Sequence, residues 1–256
     1  MKIATFNVNS IRARIPVLVD WLSREQPDLV AVQEIKVEDE KFPFDDLANI
    51  GYIATVHGQK SYHGVAFLSQ RPVELLRTGY HDDLMRDCRV QACMLDGIKF
   101  INTYVPNGNT VGGDKWAYKM AWLERFPEFC SMITSPDEKA IWLGDINIAP
   151  TPDDVFESAK HLGDVGHHPD EFVRLDRIKE WGWTDCFREF TQGPGHYTFW
   201  DYRMRGSYSR NLGWRIDHIY ATAPLLPQVK RCWIDKYPRE LERPSDHTAL
   251  LAEIEL

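Results

Sequence analysis

The feature that most constrains this chain is a series of short, almost entirely apolar runs that end in polar side chains. Such runs indicate strands buried in a sheet, whereas apolar residues at every third or fourth position indicate helices. The sequence predicts strands over residues 3–8, 28–33, 65–68, 90–95, 98–105, 140–143, 214–221 and 248–256. It predicts helices that carry Ile15, Leu18 and Leu22, that carry Trp116, Met120, Leu123 and Ile133, and that span residues 170–181. This order predicts an α/β sandwich with sheets at the centre and helices outside.

Length and composition narrow the class of protein. The 256 residues show no linker or internal repeat, so we expect one domain over residues 1–256. A net charge of −8 disfavours a protein that coats DNA but allows an enzyme with a local cationic strip. Five cysteines without a CxxC pair favour reduced thiols over a zinc site. With no membrane-spanning run and no secretion signal, we expect a cytoplasmic protein without a membrane partner.

Polar residues collect where the predicted strands end. They are Asn7, Asn9, Gln33, Glu34, Asn107, Asp145, Asn147, Asp246 and His247. In layered α/β proteins such ends commonly gather around one cleft, although each residue alone is also explained by a turn, a helix cap or a solvated strand end. Asp217 is harder to explain in this way, because it lies between Ile216 and Ile219 and a buried carboxylate needs a partner. We predict that His247 is this partner.

The residue types in this set favour metal-dependent phosphodiester hydrolysis. Carboxylate and amide oxygens suit Mg²⁺, with Mn²⁺ as a substitute. A histidine held by an aspartate is fixed in one tautomer and stabilised when protonated. Phosphodiester cleavage needs a metal, a positioned water and donors to the transition-state oxygens. The chain has neither a P-loop nor a GxSxG motif, so Walker-type nucleotide hydrolysis and acyl transfer lose support.

Seven segments resemble the signature blocks of the exonuclease III family, which includes the major apurinic/apyrimidinic endonucleases. They are TFNVNSIRAR (5–14), VQEIK (32–36), YVPNG (104–108), WLGDINIAPTPDDV (142–155), YTFWDYR (197–203), GWRIDHIYA (213–221) and PSDH (244–247). The resemblance implies a four-layered α/β sandwich with two central mixed sheets flanked by helices. It also implies a Mg²⁺-dependent DNA-repair phosphodiesterase that acts on duplex DNA with a nick, a recessed 3′ end or an abasic site. We expect a monomer, because nothing indicates an obligate partner.

The resemblance implies a role for each matching residue. Glu34 is expected to be the main metal ligand, assisted by Asn7 and Asp246. Asp145 is expected to orient or deprotonate the attacking water, and a route assisted by His247 is the alternative. The remaining contacts to the water or the phosphate are expected from Asn147, Tyr104, Asn107 and the Asp217–His247 pair.

A second group of residues fits a DNA substrate. Basic residues interleaved with aromatic residues suit phosphate contact together with packing on a sugar or base. Such a strip comprises Arg203, Arg205, Arg210 and Arg215 among Phe199, Trp200, Tyr202, Tyr208 and Trp214. By resemblance, the pocket for an extruded sugar is walled by Phe199, Trp214 and Ile216. We expect contacts to the DNA backbone from Arg12, Arg14, Lys60 and Tyr62. Core packing explains Phe199 and Trp200 about equally well.

The loop at residues 165–172 departs from the family pattern, because two histidines precede Pro169. We hypothesise that His167, with or without His168, obstructs a continuous strand and binds one that ends. This hypothesis predicts a 3′–5′ exonuclease and 3′-phosphodiesterase rather than a class II abasic-site endonuclease, although ordinary loop roles fit both histidines equally well. Two further alternatives are a phosphatase of the wider endonuclease/exonuclease/phosphatase group that acts on lipid or inositol phosphates, and a catalytically inactive scaffold.

Overall fold

Two sheets form the centre of the fold. In the computed structural model, which describes residues 1–80 and 86–256, twelve strands make two six-stranded sheets. In chain order the strands are β1 (Lys2–Asn7), β2 (Leu29–Gln33), β3 (Ile53–His57), β4 (Val65–Ser69), β5 (Glu74–Thr78), β6 (Val90–Leu95), β7 (Ile98–Tyr104), β8 (Ala140–Asp145), β9 (Trp183–Asp185), β10 (Asp217–Thr222), β11 (Val229–Asp235) and β12 (Ala249–Ile254). The helices are α1 (Ile11–Glu25), α2 (Phe44–Ala48), α3 (Asp114–Ile133), α4 (Ser158–His161), α5 (Pro169–Glu180), α6 (Cys186–Phe190) and α7 (Tyr237–Glu240). Among these described residues, no helix has the length and apolar character needed to cross a membrane.

Both sheets are mixed. The strand order is β11-β12-β1-β2-β4-β3 in the first sheet and β5-β6-β7-β8-β10-β9 in the second. β1 and β2 are parallel, as are β7 and β8, whereas the other neighbours are antiparallel. Parallel neighbours need a crossover connection, and α1 and α3 supply the two crossovers. The predicted sandwich with two central mixed sheets flanked by helices is confirmed.

Apolar clusters hold the layers together. Between the sheets, Phe67 of β4 packs in one buried cluster with Phe100 of β7. Outside the first sheet, α1 contributes Trp21 to a second cluster. Outside the second sheet, Phe126 of α3 and Leu175 of α5 belong to a third. The helices α1, α3 and α5 therefore bury their apolar stripes against the sheets, which leaves the ends of the strands free to form a site.

The topology brings the polar strand ends to one edge of the sandwich. The carboxyl ends of β1 and β2 lie side by side, and those of β7 and β8 pair at Tyr104 and Asp145. β1 also packs against β8 across the interface between the sheets, which brings Asn7 close to Asp145. Gly144 permits the close pairing of β7 with β8 at this edge, because its φ is +147° and a Cβ there would lie 2.0 Å from the carbonyl oxygen of Thr103.

Most predicted elements are present, with small shifts at their ends. The strand predicted over residues 214–221 begins only at Asp217, because Trp214 instead forms isolated bridges with Val155 and Phe199. The sequence did not predict β3, β5, β9 or β11, and each of these strands lies at the edge of its sheet. An edge strand is exposed along one side, so it lacks the continuous apolar run by which the central strands were identified.

Candidate active site

The side-chain amide of Asn7 lies at the centre of the candidate site. Its nitrogen donates to Oε1 of Glu34, just after β2, at 2.9 Å and to Oδ2 of Asp145, at the end of β8, at 2.8 Å. Asn7 and Asp145 are buried, and Glu34 is partly exposed. Because β1 and β8 belong to different sheets, this amide connects the two sheets where their acidic side chains meet. The structure thus brings together three residues that the sequence singled out.

Asp217 and His247 form the predicted pair beside these carboxylates. Nδ1 of His247 is 2.8 Å from Oδ2 of Asp217, and Nε2 on the other side of the ring is 3.8 Å from Oδ2 of Asp145. Burial lowers the pKa of the imidazole, but the Asp217 and Asp145 carboxylates outweigh burial and raise the pKa of His247 above its ordinary value. The ring is therefore held as an imidazolium, and at 3.8 Å its Nε2–H does not form a hydrogen bond with Asp145.

The two carboxylates around Asn7 have different proton affinities. Burial raises the pKa of Asp145, which the His247 imidazolium opposes and the charge of Asp217 reinforces. Burial also acts to raise the pKa of Glu34, but the ammonium of Lys36, 2.7 Å from Oε2, lowers it below its ordinary value. Asp145 is therefore suited to accept a proton, whereas Glu34 stays ionised.

Neutral hydrogen-bond donors lie at the end of β7 and in the loops that follow β7 and β8. The backbone N–H of Asn147 donates to Oδ1 of Asp145 at 2.9 Å. The amide nitrogen of Asn107 donates to Oδ1 of Asn147 at 3.0 Å. Burial raises the pKa of Tyr104 well above its ordinary value, and a hydrogen bond to Glu34 adds to the effect, so the hydroxyl keeps its proton. Such N–H and O–H groups are suitable donors for phosphate oxygens.

The acidic side of the cluster fits a divalent cation. Ligand atoms of Glu34, Asp145 and His247 all lie within 4.8 Å of one another. Since His247 is held as an imidazolium by Asp217, its nitrogen is not free to bind a metal, and the two carboxylates are the better candidates. Hard oxygen ligands that leave room for water match what Mg²⁺ requires. The residues present therefore fit the metal that the sequence predicts.

Asp246 lies outside this group of three. Its Oδ1 accepts a hydrogen bond from the amide of Asn9 at 2.9 Å, and Oδ1 of Asn9 is 2.5 Å from Nζ of Lys36. Asn7 directs its nitrogen at the carboxylates, while its oxygen accepts from the backbone N–H of Asn9 at 3.0 Å. Metal ligation by Asn7 and Asp246 stays a prediction. Lys36 is not among the residues predicted for the site, although its place two residues after Glu34 was an available signal.

An apolar wall adjoins the ring of His247. The ring centroids of Phe199 and His247 are 4.9 Å apart, and Phe199 forms β-bridges with both His247 and Trp214. Ile216 is buried in the same small apolar cluster, against which Phe199 and Trp214 pack while partly exposed. The three residues predicted to wall a sugar pocket therefore lie beside the imidazolium.

The arginines of the predicted cationic strip differ in exposure. Three are exposed, as a phosphate contact requires: Arg203, Arg205 and Arg210. Arg215 is fully buried, with Nε 2.6 Å from Oδ1 of Asp154 and Nη2 2.8 Å from Oδ2 of Asp185. The expectation that Arg215 contacts phosphate is wrong, because both ends of its guanidinium are paired inside the protein. These buried ion pairs instead hold the backbone between the wall residues Trp214 and Ile216 in place.

The other predicted DNA contacts lie on the surface, and their roles stay predictions. An open groove of about 580 Å³ is lined by Arg12, Ala13, Arg14, Ile15, Pro16, Tyr202, Arg243 and Pro244. Tyr62 is 69 % exposed, and its ring lies 6.0 Å from that of His63, which in turn lies 6.0 Å from that of Tyr104. Lys60 is exposed near it. Trp200 is fully buried, so core packing accounts for it.

His167 does not reach the surface. Its side chain is nearly buried, Nδ1 lies 2.7 Å from the carbonyl oxygen of Ala149, and Nε2 lies 2.8 Å from Oγ of Ser158. The expectation that this ring obstructs or binds DNA is therefore wrong, because both nitrogens are engaged within the protein. Two residues of this loop pack against Trp214. A Cβ at Gly166 would lie 3.3 Å from its ring, and the ring centroid of His167 lies 6.3 Å from that of Trp214.

Similar proteins occur among known nucleases. The profile of the Endonuclease/Exonuclease/phosphatase family matches residues 4–247. Exodeoxyribonuclease III of Haemophilus influenzae is 30% identical over 269 aligned residues, which cover 99% of each chain. The structure of an AP endonuclease from Archaeoglobus fulgidus gives a TM-score of 0.96 at 38% identity. The structure of the 3′ phosphatase NExo from Neisseria, bound to a product DNA hairpin, gives a TM-score of 0.94 at 33% identity. Both similarities cover 100% of each chain.

The variant Asp154→Asn tests whether the ion pairs behind the pocket wall stabilise the fold through charge. Burial acts to raise the pKa of Asp154, but Arg215 outweighs burial and lowers it to about 2, from 3.8. A lowered pKa gives stability that is present above the unfolded-state value and is lost as the pH falls through the folded-state value. We expect the variant to lose about 2 kcal/mol of unfolding free energy at neutral pH.

Urea denaturation over a range of pH measures this loss. The difference in unfolding free energy between the wild type and Asp154→Asn should shrink as the pH falls from about 4 towards 2. The control variant is Asp153→Asn. A difference that stays constant over this range would mean that packing, rather than charge, accounts for the effect.

Proposed function

Because this chain belongs to the endonuclease/exonuclease/phosphatase family, we propose that it is a Mg²⁺-dependent DNA-repair phosphodiesterase. It acts as a 3′–5′ exonuclease and 3′-phosphodiesterase on nicked or recessed duplexes. The observation that carries this proposal is the cluster in which Asn7 joins the carboxylates of Glu34 and Asp145 beside the imidazolium of His247. Exodeoxyribonuclease III and a 3′ phosphatase bound to DNA are among its relatives, which supports DNA as the substrate.

Asp145 accepts the proton of the attacking water. The N–H of Asn147 and the amide of Asn7 hold its two oxygens, and burial raises its pKa towards the range in which a general base is effective. As the water oxygen bonds to phosphorus, the P–O bond to the leaving group breaks. The proton of the water passes to a carboxylate oxygen of Asp145, and the leaving oxygen takes a proton from solvent.

Three donors meet the charge that develops on the phosphate. The imidazolium of His247, oriented by Asp217, presents its Nε2–H, and the hydroxyl of Tyr104 keeps its proton. The amide of Asn107 adds a third donor beside them. Mg²⁺ held at Glu34 would supply further positive charge to the phosphate oxygens. Fixed donors of this kind stabilise the transition state without reorganisation during the reaction.

A class II abasic-site endonuclease is the second candidate, and the burial of His167 favours it. With that ring inside the protein, the side chain of His167 does not obstruct a continuous strand. The similarity to an AP endonuclease from Archaeoglobus fulgidus supports the same activity. Incision beside an abasic site and removal of a 3′ terminus use the same displacement at phosphorus, so one cluster can serve both.

Substitutions in the cluster should separate turnover from metal binding. We expect Asp145→Asn and His247→Ala to lower kcat by roughly 10²- to 10⁴-fold, because each removes a proton acceptor or a phosphate donor. Glu34→Gln should instead raise the Mg²⁺ concentration needed for half-maximal activity. The measurement is release of nucleotides from a labelled duplex with a recessed 3′ end, over a Mg²⁺ titration and with EDTA.

The exposed carboxylate of Asp137 provides a matched control, since Asp137→Asn changes charge before the start of β8, at the end of the strand opposite Asp145. Its kcat and Mg²⁺ dependence should match those of the wild type. An unaltered Mg²⁺ requirement in Glu34→Gln would refute the metal assignment, and hydrolysis that persists in EDTA would refute metal dependence altogether.

Two substrates distinguish the two candidate activities. One duplex carries an internal abasic-site analogue, and the other carries a nick with a 3′-phosphate. Because His167 is buried, we expect His167→Gly to leave the ratio of the two rates unchanged, even if it lowers stability. A selective rise in abasic-site incision by His167→Gly would restore the steric role that the sequence suggested.

A further inference from the structure

Two fully buried charged residues lie behind the site and take no part in the chemistry described above. Nζ of Lys119, on α3, is 2.5 Å from Oε1 of Glu171, on α5, and both side chains are 0% exposed. A buried ion pair gives up the hydration of both charges, and apolar replacements are often equally stable. Stability alone therefore does not account for this ion pair. The other hydrogen bonds of Lys119 and Glu171 show which loops the two side chains contact.

Lys119 holds the two loops that carry the phosphate donors, residues 105–109 and 146–149, here called the donor loops. Its ammonium donates to the backbone carbonyl of Asn147 at 2.8 Å and to that of Asn107 at 3.2 Å. Asn147 has a left-handed backbone with φ of +53°, a conformation that asparagine adopts more readily than most residues. The buried ammonium thus binds both donor loops from inside the protein.

Glu171 holds the loop that faces the pocket wall, residues 163–168, here called the wall loop. Its Oε2 accepts from the backbone N–H of Gly166 at 2.9 Å and from that of His168 at 3.1 Å. Gly166 in turn accepts, through its carbonyl, from the N–H of Ala149 in a donor loop at 2.7 Å. It also lies against the ring of Trp214. One buried pair therefore connects all three loops around the site.

We propose that Lys119 and Glu171 are positioning residues that hold the donor loops and the wall loop in register. Neither touches the reacting atoms, and their effect is to place the phosphate donors relative to the apolar pocket wall. A misplacement of about 1 Å by a distant substitution is enough to lower turnover by roughly 10²-fold. The effect on turnover rests on the proposed function, whereas the hold on the loops does not.

The double variant Lys119→Met/Glu171→Gln tests the proposal. Single substitutions would leave one buried charge unpaired, but this pair of changes removes both charges together and keeps a glutamine oxygen for the amides of the wall loop. We expect the variant to fold and to lose about 10²-fold in kcat with little change in KM. The matched control on α5 is Lys179→Met/Asp176→Asn, which removes an exposed pair.

Unchanged kcat in the folded double variant would overturn the proposal. Amide hydrogen exchange provides a second measurement that needs no activity and uses the wild-type protein. The N–H groups of Gly166 and His168 should exchange as slowly as those of the central strands, and rapid exchange there would also overturn the proposal. If the wild type fails to hydrolyse DNA, the proposed function falls, while the exchange rates still decide whether the pair holds the wall loop.

Discussion

The site depends on one hydrogen-bonded amide, that of Asn7, which donates to a carboxylate from each sheet. Glu34 follows a strand of the first sheet and Asp145 ends a strand of the second, so the packing of the sheets forces two negative charges together. In a poorly hydrated setting this approach is repulsive unless donors lie between the charges. The backbone carbonyl of Asn7 also accepts from the hydroxyl of Ser245 at 2.8 Å, which ties the segment bearing His247 to the same strand end.

Every carboxylate of the cluster has a cationic or hydrogen-bonding partner. These partners differ in how easily a metal ion can replace them. The imidazolium of His247 lies between Asp217 and Asp145 and is buried with them, so it is a fixed charge. Lys36, by contrast, is partly exposed where it pairs with Glu34. A divalent cation can replace a flexible lysine at a partly exposed carboxylate more readily than it can displace a buried ion pair. The cluster can therefore gain positive charge at Glu34 without any rearrangement of the base or the imidazolium.

The sequence predicts the site well where a residue's place along the chain decides its place in the fold. Asn7 and Asp145 end central strands, whose continuous apolar runs are easy to identify, whereas the four edge strands lack such runs. His167 and Arg215 were misassigned for a different reason, because the direction of each side chain depends on partners far away in the sequence. Lys119 had a local signal that was overlooked, since a lysine within the apolar stripe of α3 needs a buried partner. No sequence pattern, however, identifies the loops that it holds.

The most direct test of this account is to locate a bound Mn²⁺ ion by anomalous diffraction from a crystal of the protein soaked in Mn²⁺. The account predicts an ion at bonding distance from a carboxylate oxygen of Glu34, with Asp145 on the same side and Lys36 moved away from Glu34. An ion bound elsewhere, or a Glu34 carboxylate still paired with Lys36 at a saturating Mn²⁺ concentration, would contradict the central claim that this cluster is the catalytic metal site.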